Sequence, residues 1–175
     1  MTRILFVCTG NICRSAFAEA CLKSMLKVED RTGVSSAGIA ALVGNEMDPL
    51  MAHEAALRGI DARKHRARQL TGRILKDADV VLVFGPEHVE WIANEYPEHL
   101  AKAVSLGQAA RALQSRPRLA SSSWRTLLDD VQALSVEPCE ADEIKDPYRR
   151  GEGIAKCAAG RICADLDVLS AALSR

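Results

Sequence analysis

A cysteine and an arginine stand six positions apart near the start of the chain, in the stretch ILFVCTGNICRSAFAEA. The thiolate of a cysteine such as Cys8 is a strong nucleophile. The guanidinium of an arginine such as Arg14 presents a planar set of donors that matches two oxygens of a phosphate. Together the two residues predict nucleophilic chemistry on a phosphoryl group that is bound between them.

The residues around this pair predict the elements that position it. The apolar run at residues 4–7 predicts a short buried strand, and the spacing of apolar residues after Arg14 predicts a helix. Gly10 and Asn11 tolerate the tight curvature that the connecting loop needs. Because N–H groups at a helix N-terminus lack partners within the helix, the loop predicts an anion site, with Cys8 as a thiolate at its base.

Further strands and helices alternate along the chain. Strand-like runs are predicted at residues 33–39, 79–85 and 103–106. Helices are predicted from punctuating residues and apolar stripes: Asp48, Pro49 and Gly59 for one helix, Pro86 and Pro97 for a second, and Ile162, Leu166, Leu169 and Leu173 for the last. This alternation predicts an α/β protein with three layers: a four-stranded, parallel, doubly wound sheet with helices on both faces.

The least regular part of the sequence is the segment 107–143, which contains QSRPRLASSS and VEPCEADE. We interpret it as an insertion between the last strand and the last helix of a single domain that spans residues 1–175. Within this extended segment, the stretch WRTLLDDVQAL predicts an amphipathic helix.

Composition and charge exclude several classes of protein. The chain has 23 basic and 23 acidic residues, so no net charge directs it to nucleic acid or to a membrane surface. The basic run at residues 63–68 lacks interleaved aromatic residues, which indicates a solvated segment. No signal peptide or membrane span is predicted, so we expect a cytoplasmic protein. The six cysteines have no metal-site spacing, and neither a metal nor a cofactor is expected.

The loop sequence VCTGNICRS resembles the signature loop of the low-molecular-weight protein tyrosine phosphatases. The resemblance extends through SSAG at residues 35–38, HRARQL at 65–70, DADVVLV at 77–83 and DPYRR at 146–150, which follow in that family's order. It implies a flavodoxin-like fold and an enzyme that hydrolyses phosphotyrosine and aryl phosphate monoesters. The implied partners are a phosphate or other oxyanion in the loop and a phosphotyrosine protein, such as a tyrosine kinase. We expect a monomer or weak dimer.

The resemblance also implies a role for each site residue. Cys8 attacks phosphorus to form a cysteinyl-phosphate, Arg14 clamps the phosphate, and Asp146 acts as general acid and then as general base. Phosphate or substrate binding is implied for Thr9, Gly10, Asn11, Ile12, Cys13, Ser15 and Tyr148. Ser36 and His65 are implied to hold the loop in shape together with Asn11 and Ser15, and Ser15 is implied to donate to Cys8.

The sequence departs from the family's pattern around the loop. Ala16 replaces a proline that usually follows the signature serine, and the run IAALVGNE lacks the aromatic residue that often forms a wall of the pocket. Tyr148 is then the ring expected at the pocket mouth. The stretch before Asp146 is longer than usual. These departures bear on substrate preference and leave the expected chemistry unchanged.

Three other functions are weighed against this one. An arsenate reductase on the same loop needs two further cysteines after the third strand, where FGPEHVEWIANEY contains none. A protein arginine phosphatase carries threonine where this chain has Ile12, which favours the phosphotyrosine enzymes. A non-catalytic module that binds phosphoanions would not need Cys8, Arg14 and Asp146 together.

The loop holds a second cysteine, Cys13, five residues after Cys8. A cysteine at this position recurs in the family that the chain resembles. A thiolate is the form that peroxide attacks, and a neighbouring thiol can capture the resulting sulfenic acid. We therefore expect a reversible Cys8–Cys13 disulfide on oxidation.

Overall fold

The computed structural model describes residues 2–26, 32–114, 123–134 and 136–173. Four strands form one sheet: β1 Thr2–Cys8, β2 Thr32–Gly38, β3 Val80–Val83 and β4 Ala103–Ser105. The strand order is β2-β1-β3-β4, and all neighbouring pairs are parallel. The predicted four-stranded parallel sheet is therefore confirmed. Because β1 is central and the chain reverses its winding direction there, a crevice opens beyond the carboxyl end of β1.

Within the described residues, seven α-helices surround the sheet: α1 Arg14–Met25, α2 Pro49–Leu57, α3 Gly72–Asp77, α4 Pro86–Glu95, α5 Leu106–Gln114, α6 Leu127–Ala133 and α7 Glu152–Leu173. Two 3-10 helices, Pro97–Lys102 and Glu140–Asp142, complete the described elements. The predicted boundaries of α2 are confirmed. Asp48 caps its first turn by accepting from the Leu50 N–H at 3.0 Å, and Gly59 follows its end with φ of 70°.

The alternating side chains of β1 divide the core into two layers. Ile4 and Phe6 face the layer that includes α1 and α7, whereas Leu5 and Val7 face the layer that includes α3 and α4. A strand that is apolar on both faces is what a parallel sheet covered by helices requires. The burial of β1 on both sides fixes the strand end from which the Cys8 loop departs.

The closing helix α7 packs along α1, α2 and α5. Its predicted apolar stripe is confirmed, since Ile162, Leu166 and Leu169 are fully buried. In the described part of the chain, no helix combines the length and the apolar composition needed to cross a membrane.

The interpretation of the segment 107–143 as irregular was wrong for its first part. Residues 107–114 continue α5, whose Ala109 and Ala112 are fully buried in the core beside α7. Alanine lets two helices approach closely but adds little to a hydrophobic stripe, so the periodicity was easy to miss. The predicted amphipathic helix exists as α6, and residues 115–122 lie outside the described residues.

Candidate active site

The chain leaves β1 through a loop that curls into the N-terminus of α1. We call residues 8–15 the anion loop. Cys8, the last residue of β1, is buried, and its Sγ lies 2.9 Å from Ser15 Oγ. The Ser15 hydroxyl oxygen already accepts from Asn11 Nδ2 at 2.9 Å. Its own proton has two acceptors within reach, the Cys8 sulfur at 2.9 Å and the more distant Ala37 carbonyl oxygen at 3.5 Å. Donation to the sulfur would stabilise a thiolate.

The carbonyl groups of the anion loop face outward. Those of residues 8–13 accept hydrogen bonds, in order, from the N–H of Ile39, Ala40 and Leu42, from His65 Nε2, and from the N–H of Asp48 and Phe17, at 2.6–3.0 Å. The peptides of the described chain are trans, so each N–H points opposite to the carbonyl of its own peptide unit. The loop's N–H groups are thus directed to its centre, as an anion cradle requires.

Asn11 fixes the shape of the loop. It is fully buried and has φ of 54°, a left-handed conformation that asparagine tolerates better than most residues. Its amide nitrogen donates to Ser15 Oγ and to Ser36 Oγ at 2.8 Å, and its amide oxygen accepts from the Arg68 N–H at 2.9 Å. The four residues that the sequence assigned to loop support, Asn11, Ser15, Ser36 and His65, therefore lie together in one network.

Arg14 lies at the first position of α1 and is 2% exposed. Its Nη1 donates to the Ile144 carbonyl oxygen at 3.1 Å, and its Nη2 lies 3.1 Å from Asp146 Oδ2. Glu87 Oε1 lies 3.5 Å from Nη1. Within the described part of the chain, Arg14 Nε has no hydrogen-bond partner, although it is buried. A buried guanidinium N–H beside the cradle is a donor suited to a phosphate oxygen.

Asp146 reaches the loop from the other side. We call residues 144–148 the acid segment. The Ile144 N–H donates to the Phe84 carbonyl oxygen at 2.9 Å, which ties this segment to the end of β3. Asp146 is 38% exposed, and its Oδ1 accepts from the Tyr148 N–H at 3.2 Å. The sequence-predicted acid thus lies next to the sequence-predicted clamp, Arg14.

A cavity of about 140 Å³ lies between the anion loop and the acid segment. It is lined by Cys8, Thr9, Gly10, Ile12, Cys13, Arg14, Ala40, Leu42, Asp146 and Tyr148. Where the sequence lacks an aromatic wall residue, Ala40 and Leu42 form an aliphatic wall. Tyr148 lines the same cavity, as expected, and the Arg149 guanidinium lies 5.0 Å from the centre of its ring.

A comparison with known protein families identifies the family in which this arrangement of residues belongs. The model of the low molecular weight phosphotyrosine protein phosphatase family matches residues 3–116. This chain belongs to that family. The match includes the whole anion loop, while the acid segment lies beyond it.

Individual relatives of this phosphatase agree with the assignment. A probable low molecular weight protein-tyrosine-phosphatase, EpsP of Ralstonia solanacearum, is 42% identical over 105 residues, which are 60% of this chain and 70% of that protein. The structure of Vibrio vulnificus Wzb in complex with benzylphosphonate is 27% identical, with a TM-score of 0.74 over 98% of this chain and 99% of that one. The YwlE arginine phosphatase from Geobacillus stearothermophilus is 26% identical, with a TM-score of 0.75 over 98% and 92%.

The phosphatase braces its loop with two residues that sequence reasoning missed. Glu19 on α1 accepts a short hydrogen bond from Ser36 Oγ, and its carboxylate lies 3.9 Å from His65 Nδ1. Arg68 Nε donates to the Ser36 carbonyl oxygen at 2.6 Å. Arg68 is exposed, as the interpretation of residues 63–68 as a solvated segment predicts, but its Nε also contacts the residues that support the loop. Glu19 follows Ser15 by one helical turn, and this spacing is a signal that could have revealed it.

Two further residues of the phosphatase's site come from α4. His88 is fully buried, and its Nε2 lies 3.3 Å from Thr9 Oγ1 and 3.4 Å from Glu87 Oε1. Burial and the nearby Arg14 charge lower the pKa of His88 to about 3, so the ring is neutral at physiological pH. Neither His88 nor Glu87 was predicted, because PEHVEW looks like an ordinary first turn of a helix.

The close approach of the anion loop to Gly38 explains why the SSAG motif of this phosphatase ends in a glycine. A Cβ built at this position would lie 2.5 Å from the Thr9 carbonyl oxygen and 2.9 Å from the Asn11 nitrogen. Both atoms belong to the anion loop, which therefore rests directly on the backbone at the end of β2. A side chain here would displace the loop.

Cys13 lies in the loop beneath the pocket as a buried free thiol. Burial raises the pKa of Cys13, and the charge of Asp48 raises it further. Cys13 is therefore protonated and acts as a small packing residue in this structure. The Cys8–Cys13 disulfide stays a prediction.

Proposed function

We propose that this phosphatase hydrolyses phosphotyrosine in proteins, with Cys8 as the nucleophile. The observation that carries the proposal is the position of the Cys8 sulfur, at the base of a cradle whose carbonyl groups all point outward. Inward N–H groups and the Arg14 guanidinium supply the donors that three phosphoryl oxygens need as charge develops on them. Family membership supports the same reaction class.

In the first step, the Cys8 thiolate attacks phosphorus while the bond from phosphorus to the tyrosine oxygen breaks. Asp146 gives its proton to the departing phenolate oxygen, so tyrosine leaves as a neutral phenol. Because Asp146 is the proton donor of this step, the proposed mechanism uses its protonated form. A thiolate stabilised by the Ser15 hydroxyl at 2.9 Å is formed before the attack.

In the second step, a water molecule attacks the phosphorus of the cysteinyl-phosphate. Asp146, now a carboxylate, takes the proton of that water, and the bond between sulfur and phosphorus breaks. Inorganic phosphate leaves, and Cys8 returns as a thiolate. Asp146 is 38% exposed and therefore open to the solvent from which this water comes.

The lining of the cavity supports an aromatic phosphate as substrate. Ile12, Leu42 and Tyr148 give the mouth apolar surface that matches a phenyl ring. Leu42 and Tyr148 are both partly exposed there, at 39% and 36%. We propose a protein phosphotyrosine as the partner, such as that of an autophosphorylated tyrosine kinase, and we propose a monomer or weak dimer.

Phosphoarginine is the second candidate substrate, because a solved arginine phosphatase shares the fold over nearly the whole chain. The aliphatic side chain of Ile12 argues against it. Ile12 lines the cavity without a hydroxyl group to offer a guanidinium-linked phosphate. A guanidinium N–H that is buried beside Ile12 would have no partner there, and an unpaired buried donor weakens binding.

We further propose that residues 1–175 form one catalytic domain. Two arginines on different helices hold the chain that leads to the acid segment. Arg111 of α5 binds both carboxylate oxygens of Asp142 at 2.8 Å, and Arg161 of α7 donates to the Ala141 carbonyl oxygen at 3.1 Å. The region after β4 is thereby coupled to the site.

The test is a turnover panel on the purified chain, with peptides that carry phosphotyrosine, phosphoserine or phosphoarginine, and with arsenate. We expect phosphotyrosine to be hydrolysed fastest. Cys8→Ser should lose at least about 10⁴-fold in kcat, because a hydroxyl at this site is a poor nucleophile, while it still binds vanadate. The exposed Cys139→Ser serves as the matched control and should keep full activity. Faster turnover of phosphoarginine, or a fully active Cys8→Ser, would refute the proposal.

A further inference from the structure

A second pair of thiols lies far from the anion loop. Cys21, on α1, and Cys163, on α7, are 142 residues apart in sequence, yet their sulfur atoms lie 3.5 Å apart. The bond in a disulfide is about 2.05 Å long, so the two sulfurs need to approach by only about 1.5 Å. None of the steps proposed for phosphate hydrolysis uses either residue.

The two thiols differ in their surroundings. Cys21 is 1% exposed, whereas Cys163 is partly exposed to solvent. The hydrogen bond between the two thiols lowers the pKa of Cys163, and the charge of Arg58 lowers it further. The same hydrogen bond raises the pKa of Cys21, and burial raises it further. Asp167 opposes ionisation of both. Cys163 is therefore the thiol that ionises first, and it is also the one that a reagent in solution can reach.

We propose that Cys21 and Cys163 are a redox pair outside the active site, which a hydroperoxide converts to a disulfide between α1 and α7. The Cys163 thiolate attacks one peroxide oxygen, the O–O bond breaks, and Cys163 becomes a sulfenic acid as one molecule of water or alcohol forms. The Cys21 sulfur then attacks the sulfur of Cys163, the S–O bond breaks, and a second water leaves. Two thiols are oxidised by two electrons in total, and the hydroperoxide is reduced.

The disulfide would join the two helices that cover one face of the sheet. Cys21 lies seven residues beyond Arg14, about 10 Å along the axis of α1. The bond would therefore fasten the scaffold behind the anion loop without touching the cavity. Closing a loop of this length restricts the unfolded chain strongly, which raises thermal stability. This inference is independent of the proposed function, since it uses no residue of the site.

The experiment uses the full chain with Cys8→Ser and Cys13→Ser, so that the loop thiols cannot compete. After mild treatment with hydrogen peroxide, we expect two of the four remaining thiols to be lost. Digestion without reduction should yield a linked pair of peptides that contain Cys21 and Cys163. The midpoint of thermal unfolding should rise by roughly 10 °C, and dithiothreitol should reverse the rise.

Cys157→Ser and Cys163→Ser, each added to this background, form a matched pair of variants. Both cysteines lie on α7, and Cys157 is exposed. Cys157→Ser should keep both the linked peptide and the rise, while Cys163→Ser should lose both; Cys163→Ala replaces it if serine prevents folding. The proposal is overturned if Cys163 is recovered as a sulfinic acid with Cys21 free. It is equally overturned if the linkage joins Cys139 or Cys157, or if it forms without raising the midpoint.

Discussion

The anion loop and the acid segment face the same cavity but are built in opposite ways. In the loop, Asn11 is fully buried and both ends of its side-chain amide are bonded, and every carbonyl from residue 8 to residue 13 has a donor. In the acid segment, Asp146 is 38% exposed and its links are a turn bond to the Tyr148 N–H and an ion pair with Arg14. The loop is fixed by hydrogen bonds at nearly every residue, whereas the acid segment is tied to the rest of the protein through Ile144 and through the ion pair of Asp146.

Under the proposed mechanism, this difference follows from what each region has to do. The oxygens of a transferring phosphoryl group occupy nearly the same positions in every substrate, so their donors gain most from being rigid and prearranged. A general acid meets a leaving group in the first step and a water molecule in the second. It needs access to solvent and some freedom of position, which an exposed carboxylate at a turn supplies. We therefore expect substitutions in the two regions to separate activity from stability.

Among the tests of this contrast, the largest effect on activity is expected for Asp146→Asn. We expect this substitution to slow phosphotyrosine hydrolysis by roughly a hundredfold, because the phenolate then leaves without a proton. A 4-nitrophenyl phosphate has a better leaving group and should be slowed much less. Because Asp146 is partly exposed, urea unfolding should change little. Steady-state kinetics on both substrates, together with an unfolding curve, measure all three quantities.

Glu143→Gln is the matched control for this prediction, since Glu143 is an exposed carboxylate three residues earlier. It should leave both substrates unaffected. Equal losses on the two substrates for Asp146→Asn would assign Asp146 a role in positioning Arg14 instead of proton transfer. A large loss of stability would contradict the contrast between the two regions.

A smaller effect on activity, but a larger one on stability, is expected for Asn11→Ala. The variant removes the donor to Ser15 and Ser36 and the acceptor of the Arg68 N–H, and it places alanine in a left-handed conformation. We expect about 3 kcal/mol less free energy of unfolding and roughly a tenfold loss in kcat/KM. Urea titration and kinetics measure the two losses.

Asn45→Ala is the control for Asn11→Ala, because Asn45 is an exposed residue in the turn after β2. It should change neither the free energy of unfolding nor kcat/KM. If Asn11→Ala were as stable as the parent chain, this network would not hold the anion loop. The claim that the loop is the more rigid of the two regions would then be wrong.

The sequence predicts the anion loop far better than its surroundings. The chain from β1 to α1 is local, and its apolar run, glycine and helix start all indicate the same structure. The support residues Ser36 and His65 were reached through family resemblance, and in the structure both contact Asn11: Ser36 through its hydroxyl and His65 through its Nε2. The parallel sheet also followed from the alternation of strands and helices, since parallel strands need crossover connections.

What the sequence could not predict depends on contacts between distant elements. His88 and Glu87 follow β3 by a few residues, and only the parallel pairing of β1 and β3 brings them to the loop. Arg68 looked solvated because its contact with Ser36 is made by one nitrogen of an otherwise exposed side chain. The α5 helix was missed because four of its six buried residues are glycine or alanine, with leucines only at Leu106 and Leu113.

The smallest expected effect tests His88, which borders both regions and is sensitive to the charges of Arg14 and Asp146. In the folded chain its pKa is lowered to about 3, whereas an unfolded histidine titrates near 6.5. Between these values the unfolded chain binds a proton that the folded chain does not, so stability falls as the pH falls below about 6.5. At pH 5 the loss is about 2 kcal/mol, from roughly 1.5 pH units at 1.36 kcal/mol each.

The measurement compares the free energy of unfolding at pH 7.5 and at pH 5.0 for the parent chain and for His88→Gln. Both proteins share their other titrating groups, so the difference between the two pH-dependent losses isolates His88. We expect His88→Gln to lose about 2 kcal/mol less than the parent over this interval, whatever its stability at pH 7.5. His53→Gln, at an exposed histidine of α2, should behave as the parent does. If His88→Gln loses as much free energy of unfolding as the parent chain over this pH interval, His88 accepts a proton in the folded chain. Water would then reach the place where the anion loop and the acid segment meet.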